Sequence, residues 1–403
     1  MKSQTNPEVN VELDIEQIRQ DTPSCESMIH FNNAGCSLMP EPVSNQVLEY
    51  LAQKQEFGGY EIGSRRKGEL EKFYTSASKL IGCKPDEIAF CDGNTCGWQH
   101  FFYSLRLNSG DRIITTRVDY GSNMVAYIQM ARTKDVKINF IATDDRGDLD
   151  IESLKDLINE KTKLISISHI PTGSGMVNDA QAVGAIAAQA GIPYLLDACQ
   201  SIGHLHLEVE KIGCTALSAT GRKYLRGPRG TGVLYVARSY FETAEPMFLE
   251  QQGVNLIDHS HYELIDSARR FENFECHMAG KLGLAAAMDY ASEIGMTHIE
   301  NRIYKLAKIC RQQLINIPKV TVYDHGAVQC GIVTFSINGQ HPSETRSRLS
   351  ENKINIWVSA GPGSLVDFQN RGIEALARAS LHYYNTEDEI EKFCDVIAML
   401  AQR

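Results

Sequence analysis

The sequence predicts an α/β protein: a large domain with a mostly parallel sheet flanked by helices, then a smaller C-terminal α+β domain. Three observations carry this expectation. From about residue 87 to 196, short β-type apolar runs alternate with helical patterns, as strand–helix–strand units do. The polar residues able to do chemistry fall just after those runs, where open α/β sheets place their sites. Beyond long helical patterns at 277–294 and 297–315, a second set of elements begins. Its strands are expected at Gly331–Ile337, Ile354–Val358 and Ala377–Ser380, and its helices at Ser343–Ser350 and Glu387–Gln402. The boundaries drawn are an arm at 1–30 associated with the small domain, a large domain at 31–295 and a small domain at 296–403.

In chain order, a polar arm leads to Phe31-Asn-Asn-Ala-Gly-Cys-Ser-Leu-Met-Pro40, a turn-rich stretch before a helix that starts near Pro42. Helical patterns cover 43–56 and 66–81, with Gly58-Gly59 breaking them. Glu87–Cys91 reads as a strand, followed by Asp92-Gly-Asn-Thr95 and an apolar, aromatic stretch from Trp98 to Leu105. In strand–turn–helix geometry, helix N-terminal amides can cradle a phosphate. Asn94 and Thr95 are the candidates, and either serves equally well as an ordinary N-cap. Arg112–Thr116 is the next strand and runs into Val118-Asp-Tyr-Gly-Ser-Asn123, which opens another helix. Val136–Ile141 and Leu164–Ser168 are further strands with a helical pattern between them. The second leads to His169-Ile-Pro-Thr172. His169 reads as a satisfied buried histidine, with general acid as the alternative. Asp179 caps the alanine-rich helix 180–190.

Composition bounds the function. The chain has 403 residues, 43% of them hydrophobic and 22% charged, enough for two domains. A formal net charge of −10 argues against a nucleic-acid partner, which needs clustered Lys and Arg. The short Arg65-Arg66-Lys67 run reads as a solvated helix face. The acidic N-terminal stretch has no apolar core of a signal peptide, and no apolar run is long enough to span a membrane. Eleven cysteines without a Cys-x-x-Cys pair fit reduced thiols in a cytoplasm. Neither Cys91 with Cys96 nor His204 with His206 supplies the four-ligand pattern zinc wants, so no metal is expected.

The stretch Asp197–Val236 organises the rest. The apolar run Ile192-Pro-Tyr-Leu-Leu196 stops at Asp197. A second run, Thr215–Ala219, leads into Thr220-Gly-Arg-Lys223, a Gly-rich turn and the strand Val233–Val236. One carboxylate and one lysine thus sit at the ends of neighbouring buried strands. That pairing suits pyridoxal phosphate, which is held as a Schiff base on a lysine while an acidic partner keeps its pyridine nitrogen protonated. Thr220 and Arg222 flank the lysine, and both can bind phosphate. Taken singly, a strand-end Asp is a helix cap and a loop Lys is solvated; the combination points to the cofactor.

The words ATGRKYLRGPRGTGVLYV and DACQSIGH resemble the class V branch of fold-type I pyridoxal-phosphate enzymes. Their look is closest to the isopenicillin N epimerase-like and hercynylcysteine sulfoxide lyase-like members. The resemblance runs from Phe31 to about Asn385. It implies pyridoxal 5′-phosphate held by Lys223, with Asp197 at the pyridine nitrogen and Asn94, Thr95, Thr220 and Arg222 at the phosphate. It implies Tyr120 over the ring, where its flat face fits, although Tyr120 also reads as a packed loop aromatic. Thr172 and Gln200 would face the cofactor, and His204 would pack beneath it. The loop at Asn33 and the bidentate fork of Arg378 would bind an amino-acid carboxylate. Without the family, Arg378 reads as a surface residue. Arg269–Glu275 resembles a segment that reaches a neighbouring subunit's phosphate, so a homodimer is implied. Glu275 stands where desulfurases of the class carry Thr.

The reaction is less determined. Cysteine desulfurases of the class carry a nucleophilic Cys on a loop shortly before the motif held here by Arg378, and the corresponding loop reads Ser359-Ala-Gly-Pro-Gly-Ser364. Sulfur transfer needs a thiolate, so a desulfurase is not expected. With Lys223 as general base at Cα, the first choice is β-elimination of a cysteine conjugate or its sulfoxide, a C–S lyase releasing pyruvate and ammonia. An aminotransferase or amino-acid epimerase is the alternative. The substrate side chain cannot be read.

Overall fold

The computed structural model describes residues 13–402, so residues 1–12 of the expected arm lie outside it. A seven-stranded sheet runs in the order Ile88–Cys91, Gly232–Val236, Ala216–Thr220, Tyr194–Asp197, Thr162–Ser168, Arg112–Thr115, Lys137–Phe140. Gly232–Val236 is antiparallel to both its neighbours, and the other pairings are parallel. The central strands are buried on both faces, which is why they read as apolar runs rather than alternations. One hydrophobic cluster on one side of the sheet includes Ile165, Leu196 and Leu217; another includes Ile113, Leu195 and Trp98. This is the expected α/β fold.

Local signals explain the helices. Asp179 accepts from the Ala182 N–H at 2.9 Å and starts Ala180–Ala190, which ends where Gly191 turns to φ 65°. Thr386 and Glu389 form a capping box for Glu387–Ala401, whose buried stripe includes Ile390, Phe393, Ile397 and Leu400. Gly58, at φ 95°, ends Glu41–Phe57 as expected, but a further short helix, Gly59–Arg65, fills the gap before Lys67–Ile81.

The second sheet has four strands in the order Val320–Val322, Ile332–Ile337, Ala375–Ser380, Trp357–Ala360, all antiparallel. The run expected as one strand at 354–358 is divided. Ile354–Asn355 pairs in parallel with Ile29–His30, while Trp357–Ala360 joins the four-stranded sheet. The chain leaves one pairing for another at Ile356, a change that local apolar content does not encode. Two short strands, Val254–Leu256 and Tyr262–Leu264, form an antiparallel pair absent from the sequence reading. Arg19 reaches Glu389 at 2.8 Å and ties the start of the described chain to the last helix. No helix among the described residues is long and apolar enough to cross a membrane.

Candidate active site

Asp197 ends its buried strand and is 3% exposed. Its Oδ1 accepts from the Cys199 N–H at 3.0 Å and its Oδ2 from the Asn123 amide at 2.9 Å. The same Asn123 nitrogen donates to Asp119 Oδ1 at 3.1 Å, so one amide separates two buried carboxylates. Asp119 also accepts from Ser168 Oγ at 2.5 Å, the Tyr120 N–H and Tyr127 OH at 2.8 Å, and Thr115 Oγ1 at 3.0 Å. Burial pushes the Asp119 carboxyl up, the Ser168 hydrogen bond opposes this, and the charge of Asp197 adds to it. Sequence reasoning missed Asp119, Asn123 and Ser168. Ser168 ends a strand and Asp119 lies four residues beyond one, so the rule that found Asp197 also points to them, whereas Asn123 lies in the first turn of the helix that follows.

Asp197 is in register with Ser218 of the adjacent parallel strand, and that strand leads to Lys223. The Lys223 Nζ lies 3.2 Å from the Cys199 Sγ. Burial pushes the lysine amine down and the Cys199 thiol up. The pair therefore leans toward neutral amine and neutral thiol, and a neutral amine is the form that acts as nucleophile and base. Thr220 stands beside Arg222. It is buried, donates to the Thr231 carbonyl at 3.2 Å, and accepts from Arg222 Nη1 at 3.0 Å. Its hydroxyl proton is already committed, so it holds Arg222 and does not line the cavity.

That cavity, of about 330 Å³, is walled by Asp197 and Lys223 together with Asn94, Thr95, Tyr120, Thr172, Gln200 and Arg222. The helix Asn94–Ser104 opens onto it. Gly93, not Asn94 or Thr95, is its N-cap, and the Asn94 Oδ1 is buried without a partner. The N–H groups of a helix's first turn have no intrahelical acceptor and attract an anion. Gln200 spends both amide hydrogens, on the Ala34 carbonyl at 3.1 Å and on Thr172 Oγ1 at 3.2 Å, leaving its Oε1 unpaired. Thr172 Oγ1 also accepts from Arg378 Nη1 at 2.5 Å. With two donors aimed at one oxygen, its own proton is free to point elsewhere.

A second cavity, of about 400 Å³, shares Tyr120, Thr172, Arg222 and Lys223 with the first. Arg378 lies on its wall, 5% exposed, with Nε unpartnered. Burial lowers the guanidinium to about 10, and the Tyr224 and Tyr120 phenols oppose this. Asn33 turns its side chain away from this cavity. Its side chain donates to the carbonyls of His30 at 3.1 Å and Ser380 at 2.7 Å and accepts from the Tyr384 hydroxyl, so it is spent on the fold. Asn32, Ala34, Gly35 and Cys36 face the cavity instead. The opposite wall is Trp357–Ser364. That loop crosses so close to Gly121 that a Cβ there would lie 1.9 Å from the Pro362 carbonyl oxygen. His169 is buried, lowered to about 4, and lines neither cavity; its Nδ1 has no partner. His204 packs on the Tyr224 ring at 3.9 Å, also away from both cavities. In this chain Arg269 pairs with Glu71 at 2.5 Å, and Arg270 donates to the carbonyls of Phe241 and Ala244.

The model of the family described as "Aminotransferase class-V" matches residues 29–393. The chain belongs to this class V aminotransferase family. It is 29% identical over 400 residues to a protein of Pyrococcus abyssi named "Probable cysteine desulfurase", covering 96% of this chain and 98% of the relative. A Methanothermobacter thermautotrophicus protein of the same name is 28% identical over 393 residues, with 96% and 98% covered. The solved structure of a cysteine desulfurase from Thermococcus onnurineus superposes with a TM-score of 0.89 over the whole of both chains at 28% identity.

These findings correct two expectations. The relatives are named cysteine desulfurases, not hercynylcysteine sulfoxide lyases or isopenicillin N epimerases. The reading as a cysteine-conjugate lyase, with desulfurase excluded, is overturned on the same ground. The exclusion rested on one loop lacking a thiol, whereas Cys36 stands on the wall of the same cavity from a different element. The cofactor of this class V enzyme is pyridoxal 5′-phosphate, and its donor set fits that group. The buried Lys223 amine, the cavity-facing Asp197, the Thr172 hydroxyl with its proton unspent and the open helix turn at Asn94 are what an aldehyde, a pyridinium, a phenolic oxygen and a phosphate require.

Proposed function

We propose that this protein is a pyridoxal-phosphate-dependent cysteine desulfurase, removing the sulfur of L-cysteine and leaving L-alanine. The observation that carries the reading is the near full-length likeness to relatives of that name. The cofactor, when bound, supplies an electron sink for the pair left at Cα. Lys223 forms the covalent link, then removes and returns protons at the substrate. Burial lowers the affinity of its amine for a proton, which suits both tasks. Asp197, held from two sides, would keep the pyridine nitrogen protonated. The first-turn N–H groups at Asn94 and Thr95, with Arg222, would hold the phosphate, Tyr120 would face the ring, and Thr172 and Gln200 would stand beside the phenolic oxygen. Arg378 binds the substrate carboxylate with the Nε hydrogen that the protein leaves unused.

The domain boundaries at 31–295 and 296–403 remain our assignment, supported by a separate hydrophobic cluster in the C-terminal part that includes Phe335, Ala379 and Phe393. We assign a homodimer, supported by exposed Met247, Phe248 and Leu256. A reducing cytoplasm suits eleven unpaired cysteines. Incubating holoenzyme with L-cysteine and a thiol reductant tests the function. Alanine and sulfide in equal amounts support it. Pyruvate and ammonia in place of alanine refute it.

A further inference from the structure

A desulfurase needs a thiol that meets the substrate's sulfur, and the loop Ser359–Ser364 offers only hydroxyls. We propose that Cys36, on the N-terminal loop, is the residue that accepts the sulfur, so that the enzyme's persulfide forms there. The inference rests on the desulfurase reading.

Among the described cysteines, Cys36 is the one on the wall of the cavity that holds Arg378. Cys96 and Cys199 line the neighbouring cofactor cavity, but burial pushes both thiols up, and Cys199 is in contact with the Lys223 amine. Cys36 is half-buried and in no disulfide, and its thiol donates to the Ser37 carbonyl at 3.8 Å. Independent features mark the cavity as a ligand site. Arg378 Nε and Ser359 Oγ, both on side chains more than nine-tenths buried, have no partner in the protein. Arg222, Arg229 and Arg378 all line it, a cationic wall suited to a carboxylate substrate.

The loop is also built to hold the thiol still. The Cys36 N–H donates to the Asn32 carbonyl at 3.0 Å, and its carbonyl lies 2.9 Å from His30 Nε2. On the next residue, the Ser37 N–H donates to the Arg222 carbonyl at 2.9 Å. Buried Arg226, held at φ 60°, donates to the Leu38 carbonyl at 2.8 Å. Cys36 is thereby fastened to the turn that carries Lys223. The loop Ser359–Ser364 instead enters from the four-stranded sheet.

The step balances without an outside oxidant. The Cys36 thiolate attacks the substrate Sγ, a sulfur–sulfur bond forms, and the Cβ–Sγ bond breaks with its electron pair left on the carbon skeleton. Cβ takes a proton. Substrate thiol plus Cys36 thiol become alanine plus Cys36 persulfide: the carbon is reduced by the two electrons that the sulfur pair gives up.

The test gives holoenzyme L-cysteine carrying heavy-isotope sulfur, without reductant. The protein is then alkylated and its peptides are mapped by mass. The expected result is one labelled sulfur on the peptide holding Cys36, absent from Cys36→Ser and Cys36→Ala, and retained in Cys83→Ser. Borohydride fixation of the cofactor to Lys223 in the Cys36 variants shows that they fold and load. Alanine formation with the label on another cysteine, or with all label released as sulfide, overturns the role of Cys36 and leaves the desulfurase reading standing. Absence of alanine overturns both.

Discussion

The charged poles of the two adjoining cavities, Asp197 and Arg378, are held in different ways. Asp197 has a protein donor on each oxygen, and the Asn123 amide that serves it also serves Asp119, itself the acceptor of five hydrogen bonds. Arg378 spends one terminal nitrogen on Thr172, on the side-chain oxygen at 2.5 Å and the carbonyl at 3.1 Å, and leaves Nε unpaired in a buried position. A buried polar atom without a partner costs roughly 1–3 kcal/mol. The carboxylate pole is therefore complete before anything binds, and the arginine pole is completed by its ligand. Thr172 ties the arginine pole to Gln200 of the cofactor cavity, since its one hydroxyl oxygen accepts from Arg378 and from Gln200.

This contrast can be broken or sharpened in four ways. Lys223→Ala should have the largest effect, lowering turnover by about a thousandfold or more, the scale of a lost general base. Borohydride reduction should then leave no cofactor mass on the peptide spanning position 223. Arg378→Ala should raise KM for cysteine about a hundredfold, as expected for removing one partner of a desolvated charge pair, with a smaller change in kcat. Equal losses in both would put Arg378 in the chemical step instead. Asn123→Leu should act on the pole that the protein itself completes. It leaves two buried carboxylates facing each other, so urea unfolding should show a loss of about 1–3 kcal/mol, and cofactor affinity should fall. An unchanged midpoint would mean that Asp119 is held protonated and needs no separator.

The gentlest effect is pH-dependent. Burial holds His204 near 3 and His169 near 4, far below the ordinary histidine range. His204 donates from Nδ1 to the Gln200 carbonyl and accepts at Nε2 from the Gly331 N–H, so the hydrogen bonds themselves require the neutral ring. Because the folded values are depressed, the unfolded chain binds more protons between the two. Stability is full above the unfolded value of about 6.5 and is lost progressively as pH falls toward the folded values. Thermal midpoints measured from pH 7.5 to 4.5 check this, and a flat profile would refute it.

The same poles show how much was legible. Asp197 and Lys223 could be found because each follows a buried strand, and strand ends are marked by where an apolar run stops. Asn94, Thr95, Tyr120, Thr172 and Gln200 obey the same rule and all line the cofactor cavity. Thr220 obeys it too, yet its hydroxyl is taken by Thr231, from the next strand over. Asn33 sits in the right loop with its side chain turned to Ser380 and Tyr384. Cys36 carried no signal of its own, being a small residue in a turn.

The sequence by itself determined the α/β order of elements, the pairing of one carboxylate with one lysine, and through them the cofactor chemistry, because periodicity and strand ends are local properties. Only the tertiary structure decided which hydroxyls and amides are already spent, that Arg378 meets Thr172, and that Cys36 shares a cavity with Arg378. A hydrogen bond is settled by whichever donor and acceptor meet in space. Here Arg378 and Thr172 lie 206 positions apart, and no spacing along the sequence records the encounter.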